Sequence, residues 1–177
     1  MPRLTLIQDG DYESDWSADE EPKTAVTKMW DQLYHHREDF PFGTRTATLD
    51  LPPLHPGPAD IFRLWQIYLD NVNPLLNVTH SPTLQPRLVE AAGNPTGIAP
   101  PLEALMFGIY SMAIRSLSPV DCEAAFLHGK DDLLLRYQSG CQQALMNCGF
   151  LRTNSRDCLT AYYLYLVSST PPYYFLA

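Results

Sequence analysis

The chain has 177 residues, 45% of them hydrophobic and 18% charged. That is enough for one domain of ordinary size with a core of its own, and it excludes a chain disordered throughout. The net charge is −8, and no basic run exists to neutralise a phosphate backbone. Direct binding of nucleic acid by this chain is therefore not expected.

Charge is unevenly spread. Residues 1–22 carry seven acids against Arg3 alone, with Tyr12 and Trp16 between them. They read as an acidic, disordered tail whose two aromatics offer adhesive points to a partner. Residues 23–57 read as a weakly helical segment followed by a proline-rich linker. Val26, Met29, Trp30 and Leu33 stand at helical spacing within 24–38, and five prolines and two glycines crowd 39–58.

The strongest organisation starts at Pro58. Ile61, Leu64, Trp65, Tyr68 and Val72 mark one face of a helix over 58–73, with Pro58 in its first turn and Pro74 as its stop. Thr83 is the expected cap of a second helix, 83–92, closed by Gly93. A third, 101–116, has an apolar stripe through Leu102, Leu105, Met106, Ile109, Met112 and Ala113. Ser118-Pro119-Val120-Asp121 reads as a capping box opening a fourth, 119–127. A fifth, 131–148, aligns Leu134, Tyr137, Cys141, Leu145 and Cys148. A sixth, 156–168, is apolar on nearly every side and reads as a buried helix. No period-2 alternation competes, so the fold class is all-α, an irregular multi-helix array.

Four cysteines, at 122, 141, 148 and 158, form no C-x2-C pair. Their spacing argues against a zinc knuckle and against a disulfide framework, and favours buried free thiols in a reducing compartment. No signal peptide is visible, and no apolar run is long enough to span a membrane.

From His55 onward the sequence resembles the fungal-specific transcription factor domain, the middle homology region of fungal zinc-cluster regulators. The resembling segments are HPGPADIFRLWQIYLDNVNPLLNVTHSPTLQ (55–85), LEALMFGIYSMAIRSLSPVDC (102–122), LLLRYQSGCQQALMNCGFL (133–151) and LTAYYLYLV (159–167). The resemblance implies a helical regulatory domain over 58–168, incomplete at about Val167, with 169–177 as a tail foreign to the family. It also implies a nuclear location. Relatives carry a six-cysteine zinc cluster before this region, but the first 121 residues here contain no cysteine. No zinc site and no other cofactor is therefore assigned to this chain.

Other constellations are weaker than their bland readings. His35-His36, with Asp31 and Asp39 nearby, reads as a solvated surface pair. Asp131-Asp132 lacks the further acid of a diphosphate-binding motif and suits a helix N-terminus. Asp121, Cys122 and His128 suggest a thiol nucleophile with a base, but a packed Cys122 accounts for them more simply. His80 reads as a structural hydrogen-bonding group at the start of the next helix. No catalytic, cofactor-binding or metal-binding residue is assigned.

The reading is thus a non-enzymatic fragment of a fungal transcription regulator. It acts through protein partners or self-association, with no direct nucleic-acid binding and no membrane. The alternative is a small all-α ligand-binding protein or enzyme reusing the same helices.

Overall fold

A computed structural model describes residues 49–170. Among these residues there are six helices and no strand. The acidic tail, the helix expected over 24–38, the His35-His36 pair and the apolar residues 173–176 lie outside the described residues.

The first helix, α1, opens at Pro58 and runs to Ile67. It continues through a widened π turn, Tyr68–Val72, into a last α turn, Asn73–Leu76. The five stripe residues are all buried, Leu64 and Tyr68 completely. Pro74 does not stop the helix. In a regular helix its missing N–H and its ring would conflict with the carbonyl four residues back. The π turn, in which Asn73 N–H bonds to Tyr68 O, widens the spiral just before it and lets the chain run on. The stop comes at Asn77, which enters the left-handed region at φ 47°.

Helix α2, Ser81–Gly93, begins two residues before the expected Thr83 cap. The backbone carbonyl of His80 accepts from the N–H groups of both Thr83 and Leu84, so the helix is already closed at Ser81. A short 3-10 turn at Pro95–Gly97 leads to α3, Pro100–Ser116. Helix α4 is Pro119–Phe126, α5 is Lys130–Asn147 and α6 is Arg156–Ser169. The expected capping box is present at α4: Ser118 Oγ accepts from Asp121 N–H at 3.1 Å and donates to its carboxylate at 2.6 Å. That helix ends at Leu127, φ 58°, in line with the expected span 119–127.

Helix α3 is the centre of the array. Every residue from Leu102 to Ile114 is buried. It packs against α5 on one side, α6 on another and α1 on a third. The closest approaches are made at glycines. A Cβ on Gly140 of α5 would stand 2.7 Å from Phe107, and one on Gly108 would stand 3.3 Å from Leu164 Cβ of α6.

Hydrogen bonds at the helix ends tie the layers together. Lys130 Nζ donates to the carbonyls of Arg115 and Leu117, capping α3. Arg115 in turn donates to the carbonyls of Ser168 and Thr170, and Gln138 donates to Ser168 O, closing α6. Residues 49–57, inside the segment read as linker, are held against α5. Leu51 is buried, Leu49 N–H reaches Gln143, and Arg136 reaches Pro53 O.

The cysteine expectation needs a correction. Cys122 and Cys141 are buried and free, but Cys148 and Cys158 are paired as a disulfide. Gly149, at φ 59°, reverses the chain after α5, and Phe150 tucks in against Tyr162 with ring centroids 4.8 Å apart. The end of α5 is thereby brought beside the first turn of α6, a proximity that a spacing of 10 residues does not reveal.

Gly140→Ala should lower stability by about 1–2 kcal/mol in urea denaturation, because Phe107 is fully buried and has nowhere to retreat. Gly93→Ala, where an added Cβ meets nothing within 4 Å, should be neutral or stabilising through helix propensity.

Candidate functional site

The most concentrated polar chemistry in the interior lies where the chain enters the domain. His55 follows the 3-10 turn Pro52–Leu54, and its side chain is only 2% exposed. Its Nε2 stands 3.4 Å from Glu103 Oε1, and its Nδ1 stands 3.5 Å from the Tyr110 hydroxyl. The ring lies on Phe107 with centroids 4.4 Å apart. A neutral imidazole that donates through Nε2–H and accepts at Nδ1 satisfies all three groups. Glu103, 9% exposed, is the one acid among the buried residues of α3, and this cluster is its partner.

Tyr110 continues the cluster to Tyr137 of α5, with ring centroids 5.3 Å apart. Burial pushes the Tyr137 hydroxyl up to about 12, partly offset by Arg136. Burial, reinforced by Tyr137 and Glu103, carries Tyr110 well above 10. These phenols are donors and packing surfaces across the physiological range. The arrangement fastens the entering chain to α3. Sequence reasoning missed it because His55 and Glu103 are 48 residues apart. The available signal was a single glutamate inside the otherwise apolar stretch LEALMFGIY.

The other sequence candidates do not converge. Asp131 and Asp132 are exposed in the first turn of α5, where acids suit the helix dipole. Asp121 is engaged by Ser118. Cys122 is fully buried, and burial raises its thiol pKa, the reverse of what a nucleophile needs. His80 Nδ1 lies 3.1 Å from Thr83 Oγ1 at the start of α2, in the structural role expected of it. Among the described residues no group of three His, Cys, Asp or Glu side chains is arranged to hold a metal ion. None of the described helices is long and apolar enough to cross a membrane.

Two surface features remain. Helix α6 buries Cys158, Ala161, Leu164 and Ser168 but exposes Leu159, Tyr163 and Leu166 as a stripe along its outer side. From Cys158 to Thr170 the sequence contains no charged residue. The expectation of a wholly buried sixth helix is therefore corrected. One face is covered and the other meets solvent, because α6 lies at the edge of the array. The second feature is a cleft between α2 and the start of α6.

Comparison with known proteins gives consistent relatives. The chain is 44% identical to the transcriptional regulator AacuB of Aspergillus aculeatus over 183 residues, covering 96% of this chain and 25% of that protein. It is 45% identical over 116 residues to the pyriculol/pyriculariol biosynthesis cluster transcription factor 1 of Pyricularia oryzae, covering 65% of this chain and 15% of the relative. It is 33% identical to the aurofusarin cluster transcription factor aurR2 of Gibberella zeae over 193 residues, covering 94% and 29% respectively. The chain thus spans between 15% and 29% of the length of these curated relatives. No family model matches it, and no solved structure does.

The buried phenols set a pH dependence. Between about pH 10 and about 12 the unfolded chain ionises a tyrosine that the folded chain keeps protonated, so stability should fall as pH rises through that window. Urea melts from about pH 8 to about pH 11.5 should show this loss, and Tyr137→Phe should make it shallower.

Proposed function

The chain belongs to the family of fungal transcription regulators, and we propose that it serves as a helical regulatory piece of such a regulator, working through protein contacts and without gripping DNA itself. The observation that carries this reading is the 44% identity over 96% of the chain to a named transcriptional regulator. The absence of a basic run, with a net charge of −8, supports the second half. Two relatives are named for biosynthetic gene clusters, so the genes of such a cluster are the proposed targets. The proposed location is the nucleus, and no catalytic role is proposed.

Tethering tests this directly. The chain fused to a heterologous DNA-binding domain should change expression of a reporter bearing that domain's site, relative to the bare domain. An unchanged reporter, with the fusion present at equal level, would remove the regulatory reading. The isolated chain should not shift duplex DNA from a cluster promoter in a gel assay. Salt-sensitive, sequence-dependent binding would overturn the claim that it does not grip DNA.

For the protein contact we propose a second copy of the chain, meeting α6 to α6. An isologous interface sets a patch against itself, and an uncharged stripe does this without like-charge repulsion. Leu159, Tyr163 and Leu166 supply its apolar contacts, at 54%, 43% and 45% exposure. Light scattering should find a dimer that becomes monomeric in the Leu159→Glu/Leu166→Glu variant. Mass that does not change between the two proteins would count against this pairing.

A further inference from the structure

Between the loop 77–80 with α2 on one side, and the first turns of α6 on the other, lies a cleft of about 400 Å³. That volume is in the range of small-molecule sites. Its floor is apolar, made by Leu84 of α2 and Leu105 of α3, both buried, with Val78 beside them. Its polar lining comes from both walls: Thr83 and His80 from the α2 side, Thr160 and Arg156 from the α6 side. Arg87 and Asp157 also line it, and they form an ion pair that bridges the two walls.

The charge is the informative part. The chain as a whole carries −8, yet here two guanidinium groups face a single carboxylate. Asp157 is matched by Arg87. Arg156 is exposed and has no ion-pair partner among the described residues. The cleft therefore combines one uncompensated cation, the Thr160 hydroxyl beside it and an apolar floor.

We propose that this cleft binds a small organic anion, a carboxylate on a compact apolar body. The carboxylate meets Arg156 and the Thr160 hydroxyl, and the apolar body lies on Leu84 and Leu105. A guanidinium matches a carboxylate with two parallel N–H donors, which gives both strength and orientation. A ligand held this way touches α2 and α6 at once. It therefore ties α2 to α6 and so to the core, beside the buried Leu84, Leu88, Ala91 and Ala92 and the Arg87–Asp157 bridge. The assignment rests on the cleft alone and does not depend on the role in transcription.

The test uses the full chain with four probes: hexanoate, benzoate, benzamide and inorganic phosphate. Hexanoate or benzoate should saturate and raise the Tm, and should slow amide exchange across residues 81–93. Benzamide, which has the body but not the charge, should do neither. Phosphate, which has the charge but not the body, should bind more weakly than the carboxylates. Arg156→Gln should weaken carboxylate binding by about tenfold or more, the scale of a lost charged hydrogen bond. Because Arg156 is exposed, the variant should melt normally without ligand. Arg63→Gln on α1, which removes an equal charge outside the cleft lining, should bind as the parent does.

The proposal is overturned if neither carboxylate binds, if benzamide binds equally well, if phosphate binds as tightly as the carboxylates, or if Arg156→Gln leaves affinity unchanged. Binding without added protection over 81–93 would overturn the claim that the ligand ties α2 to the core.

Discussion

Everything described depends on enclosing α3. A helix whose residues from 102 to 114 are all buried has no solvent face, so it is stable only with neighbours on every side. Burial of one large apolar side chain contributes about 1.5–3 kcal/mol, and Met106, Phe107, Ile109 and Ile114 are each at most 1% exposed. The polar groups among those residues each have a partner, the Tyr110 hydroxyl at His55 Nδ1 included. Ser111 Oγ donates to Phe107 O at 2.9 Å, and Glu103 meets His55. Gly108 and Gly140 then decide how near α6 and α5 approach. Arg115 in the last turn of α3 and Lys130 in the first turn of α5 extend the constraint, since Lys130 closes α3 and Arg115 closes α6. Core packing and end capping are thus coupled through the same helix.

The helices were legible where their signals are local. Proline at the first turn, the Ser118 cap and the apolar stripe from Ile61 to Val72 act within one or two turns of chain, and the structure keeps all three. The misreadings arise where a neighbouring turn changes what a residue must do. Pro74 ends a regular helix but not one widened by a π turn just before it. Thr83 has the chemistry of a cap, but the backbone carbonyl of His80 closes the helix first.

The remaining features were not legible because they belong to pairs distant in sequence. His55 and Glu103 meet across 48 residues, and Arg87 and Asp157 across 70. Neither pair has a periodicity to detect. The disulfide follows from the turn at Gly149 and Phe150, not from the spacing of the cysteines. For α6, composition established that the helix is apolar but not which side is covered. That depends on its place at the edge, where Ala161 and Leu164 meet α3 while Tyr163 does not.

The distribution of stability indicates where a signal can act. Moving α3 relative to α5 or α6 would expose several fully buried side chains, and the cost would approach the whole stability of a domain, about 5–15 kcal/mol. The seam between α2 and α6 is different. It is bridged by a half-exposed Arg87–Asp157 pair, and pairs of that kind contribute about 0–1 kcal/mol. Helix α2 itself is anchored by the burial of Leu84, Leu88, Ala91 and Ala92, so the weak link is the polar contact across the seam and not the helix. A ligand in the cleft would strengthen that contact while leaving the frame of α3, α5 and α6 as it is.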